Sequence, residues 1–166
     1  MTASLLKRAV AEGVGTALLL AAVVGSGVMA ARLANGDAAL ALLANAIATG
    51  GALVALIVTF APISGAHFNP LVTLVLAPRN NNGETHAVLA YIAAQAIGAV
   101  GGVLLAHAMF GLPILEWSSH VRATQGEWLG EFVATFERDT RRNPRWAAWR
   151  PPNPSPPARR PARSRR

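Results

Sequence analysis

Five polar side chains in a largely apolar chain are placed where hydrogen bonding, rather than covalent chemistry, is the work on offer: Glu12, Thr49, His67, Asn69 and Glu131. No acid is paired with a base, no nucleophile stands beside a histidine, and His67 has no second His, Asp or Glu nearby to complete a metal site. An enzyme, a cofactor and a metal centre are therefore not expected, and His67 reads as a brace for its own loop. Asn69 carries the strongest signal. Asn is a preferred N-cap, and Pro70 fits the first helical position because its missing N–H would have no partner there. From Pro70 to Ala77 only eight residues precede Pro78, so this helix is about 12 Å long and cannot cross a bilayer.

The residues ahead of it, Ser64 to Phe68, read as irregular backbone between apolar runs. At membrane depth such backbone is tolerated only where protein buries it or where it lines a water-filled path. The stretch from Gly65 to Pro70 is therefore expected to line a pore. Gly65, Ala66, His67 and Phe68 would present backbone carbonyls, and Asn69 would donate from its side-chain NH₂. The positive end of the short helix's dipole would disfavour cations and protons there. An Asn-Pro turn in a soluble protein is the alternative, and the long flanking apolar runs argue against it.

Those runs are the elements that must position the loop. The 166 residues are 52% hydrophobic and 14% charged with no Cys, the composition of a small membrane protein without disulfides. Ala9 to Ala31 holds Glu12 as its only ionisable residue, and its length of about 34 Å suits a tilted transmembrane helix. A signal peptide is the rival reading, but the run is long for an h-region and carries a Glu. After a polar turn, Arg32 to Asp37, a second run covers Ala38 to Ala61, and a third covers His86 to Phe110. Gly98 and Gly102 give the third run a G-x-x-x-G face for close packing. Glu12 to Thr16 and Glu131 to Thr135 share a Glu-x-x-x-Thr pattern, the faint symmetry of an inverted repeat. At Glu137 the membrane character stops.

The stretch Ser64-Gly65-Ala66-His67-Phe68-Asn69-Pro70-Leu71-Val72-Thr73-Leu74 resembles the first pore loop of the major intrinsic protein family, the aquaporins and aquaglyceroporins. Leu71 stands where the family's Asn-Pro-Ala motif has Ala. Tyr91-x-x-Ala94-Gln95-x-x-Gly98 resembles the family's third helix, and the likeness covers about Arg8 to Phe136. It implies that Glu12 accepts hydrogen bonds that hold the pore loop, with Glu131 as its counterpart in the second repeat. Family spacing also places Thr49, twenty residues before Asn69, in the selectivity filter. The resemblance implies an aromatic ring at that point in water and glycerol channels, so Thr49 suggests a wider filter.

The fold expected is an all-α membrane protein, with three transmembrane helices plus a re-entrant half-helix forming the first inverted repeat of an aquaporin-like channel. The activity implied is passive passage of water or a small neutral solute, of the glycerol or metalloid-hydroxide type, through a multi-pass protein of the cell membrane. Membrane lipid surrounds it, and a homo-oligomer, a tetramer in the family, is implied. Two domains are expected: an incomplete channel domain, 1–136, truncated in its fourth helix and non-conducting by itself, and a disordered tail, 137–166, with ten Arg and seven Pro. The tail reads as carrying no selected function, as an out-of-frame stretch of a GC-rich gene would. The alternative is a non-transporting membrane protein whose basic tail binds anionic lipid or nucleic acid, although no nucleic-acid partner is expected.

Overall fold

The computed structural model describes residues 3–76 and 85–115, together with the helical positions 126 and 129. The chain divides into two compact units, Met1–Thr124 and Gln125–Arg166, and the four helices described here all lie in the first. The domain boundary expected at residues 136 and 137 falls outside the described residues, as do the start of the expected fourth long helix, Glu131 and the Arg-rich tail.

The elements are α1 (Leu5–Leu33), α2 (Ala38–Ser64), α3 (Pro70–Leu76) and α4 (Thr85–Phe110). Among the described residues no strand occurs. Helices α1, α2 and α4 have 29, 27 and 26 residues and are apolar enough to cross a membrane. At 1.5 Å per residue each spans about 40 Å, more than the ~30 Å of a hydrocarbon core. Helix α3, with 7 residues, does not.

The two largest departures from the helix ends read off the apolar runs each have a local reason. Helix α1 starts four residues earlier than Ala9, because the Ser4 side chain caps it and a cap fixes a start more firmly than hydropathy does. Helix α2 continues through Pro62 to Ser64. A proline in the last turn removes a single N–H donor, and the Gly65 amide still closes that turn on the Ala61 carbonyl at 3.1 Å. The extra turn carries Ser64 to a buried position beside Glu12. At the other end Asp37 caps α2, its Oδ1 accepting from the amides of Ala39 and Leu40 at 2.9 and 3.0 Å.

Helix α1 packs against both α2 and α4. It runs parallel to α4: Arg8 donates to the Tyr91 hydroxyl at one end, and Arg32 donates to the Phe110 carbonyl at the other. It runs antiparallel to α2, with Ser26 beside Asn45 and Glu12 beside Ser64. The buried face of α4 is Tyr91, Gln95, Gly98, Gly102 and Ala106, a helical stripe whose two glycines meet the α1 backbone. A Cβ on Gly98 would collide with the Gly13 carbonyl oxygen, and one on Gly102 with that of Ala17. Without a hydrophobic force between helices in lipid, such backbone approach is what holds two spans together.

Candidate functional site

Glu12 is fully buried, 0% exposed. Its Oε1 accepts from the Ser64 hydroxyl at 2.6 Å and the His67 amide at 2.9 Å. Its Oε2 accepts from the Phe68 amide at 2.7 Å and from Gln95 Nε2 at 2.9 Å. Four donors on two oxygens is a set that an ionised carboxylate takes, and charge-assisted bonds of this kind are about twice as strong as neutral ones. They offset the cost of a carboxylate inside a membrane span. Around this core, Ser64 Oγ also accepts from the Ala66 amide at 3.1 Å, and the Tyr91 hydroxyl donates to the Ser64 carbonyl at 2.9 Å. Arg8 reaches the same network through its 2.8 Å bond to Tyr91.

The loop's backbone is shaped to serve those bonds. Gly65, Ala66 and Phe68 have φ of 92°, 51° and 50°, left-handed values that cost a residue with a Cβ roughly 1–2 kcal/mol each. The reward is that the amides of Ala66, His67 and Phe68 all turn toward Ser64 Oγ and Glu12. No peptide bond here is cis, and in a trans peptide the carbonyl points opposite to the N–H that follows it. The carbonyls of Gly65, Ala66 and His67 are thereby turned away from Glu12, in succession. The Ala66, His67 and Phe68 side chains are buried, so this stretch offers backbone rather than side chains. The Phe68 ring fills the place where Gly15 lacks a Cβ and stacks edge-on against Phe60 at 5.9 Å. Gly15 lies ten residues into α1, about 15 Å from its start, so the chain reverses within the span.

Asn69 then opens α3. Its Oδ1 accepts from the Leu71 amide at 2.8 Å and its carbonyl from the Thr73 amide at 3.0 Å. The side-chain oxygen is thus committed to the helix, and the NH₂ is left to donate elsewhere. Thr73 ties the half-helix to the core: its hydroxyl donates to the Asn69 carbonyl at 3.1 Å and accepts from Gln95 Nε2 at 3.0 Å, with His67 Nδ1 at 3.1 Å. With the hydroxyl proton on Asn69, the tautomer that suits is the one with hydrogen on Nδ1. The two protons of one Gln95 amide therefore join Glu12 to Thr73.

A model of the major intrinsic protein family matches residues 1–137. The chain belongs to that family. It is also similar to the aquaglyceroporin AqpS of Rhizobium meliloti, 52% identical over 75 residues, which are 45% of this chain and 32% of that relative. The match thus spans about a third of the relative's length. No solved structure matches. Members of the major intrinsic protein family are channels rather than enzymes, and three apolar helices of spanning length make this member a membrane protein.

In this family member, Glu12 and the residues Ala66 to Asn69 come together in one network, flanked by Gly65 at the end of α2 and by Pro70, exposed at the first position of α3. Thr49 stands apart from it. Half-buried on the stripe of α2 that faces α1, it donates through Oγ1 to Asn45 Oδ1 at 3.2 Å. Sequence reasoning gave no role to Ser64, Thr73, Tyr91 or Gln95, which hold the loop as firmly as His67 does. The signal was there for two of them. Gln95 and Gly98 follow Tyr91 by four and seven residues along one stripe, the helical spacing of one face. Ser64 and Thr73 had no such pattern. Two buried oxygens of this region, Gln95 Oε1 and Thr16 Oγ1, have no hydrogen-bond partner among the described residues.

Proposed function

We propose that the chain forms one wall of a channel for passive passage of water or a small neutral solute, of the glycerol type. The observation that supports this reading most is the one-sided loop. Its amides are spent on Glu12, its carbonyls turn the other way, and Asn69 follows with its oxygen committed and its NH₂ available. A row of acceptors ending in a donor suits a molecule that both gives and takes hydrogen bonds, and gives a bare cation no carboxylate. Glu12, the one carboxylate at that depth among the described residues, is covered. Thr49 belongs to this reading as a filter position, and Glu131 as the loop support of an opposing repeat.

A single re-entrant half-helix does not enclose a path, because an opposing wall is needed to close it. Purified 166-residue chain in proteoliposomes should therefore show solute flux no higher than protein-free vesicles, and fusion in frame to an opposing half should restore it. In the restored channel, Asn69→Asp should lower glycerol and water flux by about tenfold or more, since a lost hydrogen bond is worth about 1 kcal/mol and a new charge adds to that. Asp is as good a cap as Asn, so folding should survive. Thermal unfolding at the parent's temperature, together with undiminished flux, would count against the channel reading.

The membrane is proposed to be the cell membrane, crossed several times, with copies of the chain associating there. Lys7, Arg8 and Arg79 against Arg32 and Arg122 favour a cytoplasmic N-terminus. Leu115, exposed beyond the end of α4, would then lie outside. In this cysteine-free chain, Leu115→Cys should react with an impermeant maleimide added to intact cells, and protection there would reverse the orientation.

A further inference from the structure

Asn45 repeats the chemistry of Asn69 in a different part of the span. Its Oδ1 accepts from the Ser26 hydroxyl of α1 at 2.8 Å and from the Thr49 hydroxyl one turn along α2 at 3.2 Å. The alternative acceptor for Ser26, the Val23 carbonyl, is more distant at 3.3 Å, so the proton belongs to Asn45. With both hydroxyls on its oxygen, the amide orientation is fixed from two helices and the NH₂ points away from them. It stands against Gly27, where an added Cβ would meet Asn45 Nδ2 at 3.3 Å, and borders an open cavity of about 390 Å³. Small residues, Gly27, Ala31, Ala38 and Ala41 among them, form most of the rest of its wall, together with Leu42 and Asp37.

We infer that Asn45 is a second amide-donor station, which binds the acceptor oxygen of a compact neutral hydroxyl-bearing molecule in the α1–α2 groove, and that Ser26 and Thr49 are its positioning residues. A solute hydroxyl or carbonyl entering the groove offers this NH₂ an acceptor that lipid cannot supply. The small side chains around it leave room for a molecule of a few heavy atoms. Ser26 lies eleven residues beyond Gly15 on α1, and Gly15 marks the level of Phe68. The two donors are therefore about 16 Å apart along the helix axis, too far for one small molecule to touch both. The inference rests on the channel reading and adds a stop to its path.

The test uses the full chain in nanodiscs, with ¹⁵N side-chain amide signals of Asn45 and Asn69 followed as glycerol is added. Assignment comes from Asn45→Leu and Asn69→Leu, each of which removes one pair of signals. Both pairs should shift with saturation. Ser26→Ala frees the Asn45 oxygen on the α1 side, so the Asn45 response should weaken about three- to tenfold in glycerol affinity while that of Asn69 is unchanged. Adding Thr49→Val should weaken the Asn45 response further. A response at Asn69 with none at Asn45 overturns this inference and leaves the channel reading standing. Silence at both overturns this inference, while the channel reading is decided by the flux of the restored channel. An Asn45 response that the double variant leaves intact removes the positioning role and overturns the proposal as stated.

Discussion

Glu12→Gln should release the loop from α1 while leaving the long helices formed. Gln has the same shape but one acceptor oxygen, so whichever way it faces, its NH₂ meets two groups that were donating: Ser64 and His67 on one side, Phe68 and Gln95 on the other. The Ser64 hydroxyl can rotate to accept, whereas backbone amides cannot. Each buried donor left unpaired costs about 1–3 kcal/mol, so the substitution is expected to cost about 1–3 kcal/mol where Ser64 rotates and about 2–6 kcal/mol where both donors stay unpaired. Total stability is only about 5–15 kcal/mol in a typical domain. The left-handed backbone of Ala66 and Phe68 is held in place by these same bonds, so it should relax once they go. Hydrogen exchange at the His67 and Phe68 amides should accelerate far more than at mid-helix amides of α2. Ser64→Ala, which removes one of the four donors, should produce a smaller change. Unaltered protection at His67 and Phe68 in Glu12→Gln would show that something else holds the loop.

Gly98→Ala should separate α1 from α4, although it adds only a methyl group. The new Cβ would collide with the Gly13 carbonyl oxygen, and neither backbone can give way without lengthening the whole contact. Overpacking of this kind costs about 1–3 kcal/mol and sometimes more. Gly101→Ala is the matched control. It lies on the open side of the same helix with nothing within 4 Å of an added Cβ, and should stabilise by up to about 1 kcal/mol through helix propensity. Opposite signs from two Gly→Ala changes three residues apart test the packing directly. A disulfide gives a second readout: a Cβ on Gly13 would lie 3.6 Å from that of Ala94, within the usual range for a bridge. The pair Gly13→Cys and Ala94→Cys should oxidise readily in the parent chain and poorly with Gly98→Ala present.

The three spans and the half-helix were legible in the sequence because each rests on a local cause: an unbroken apolar run, or an Asn-Pro pair followed by a second proline. The same locality explains the ends that differed, since Ser4 and Pro62 act through individual hydrogen bonds that hydropathy does not register. The candidate site was legible only from the loop side. Asn69 announced itself by its neighbours, and Glu12 by its type within an apolar run. That Glu12 is also bound by Gln95, and that Gln95 reaches Thr73, depends on α1 and α4 lying parallel in one register, a relation between segments far apart in the chain. Thr49 shows the limit from the other direction. Spacing singled it out, but its partner Asn45 stood in the same run as one polar residue among three, and only the rotamer shows which of its atoms is taken.

The register that joins Glu12 to Gln95 also sets a timetable for synthesis. The two residues are separated by 83 positions, and ribosomes add about 5–20 residues per second. For roughly 4–17 seconds after Glu12 leaves the ribosome, its last donor does not yet exist, and the loop amides arrive only part-way through that interval. A helix entering lipid alone with an uncovered carboxylate is penalised by about 3 kcal/mol, enough to favour waiting beside the insertion machinery. Helix α1 should therefore be released into the bilayer together with the helices that follow it rather than ahead of them.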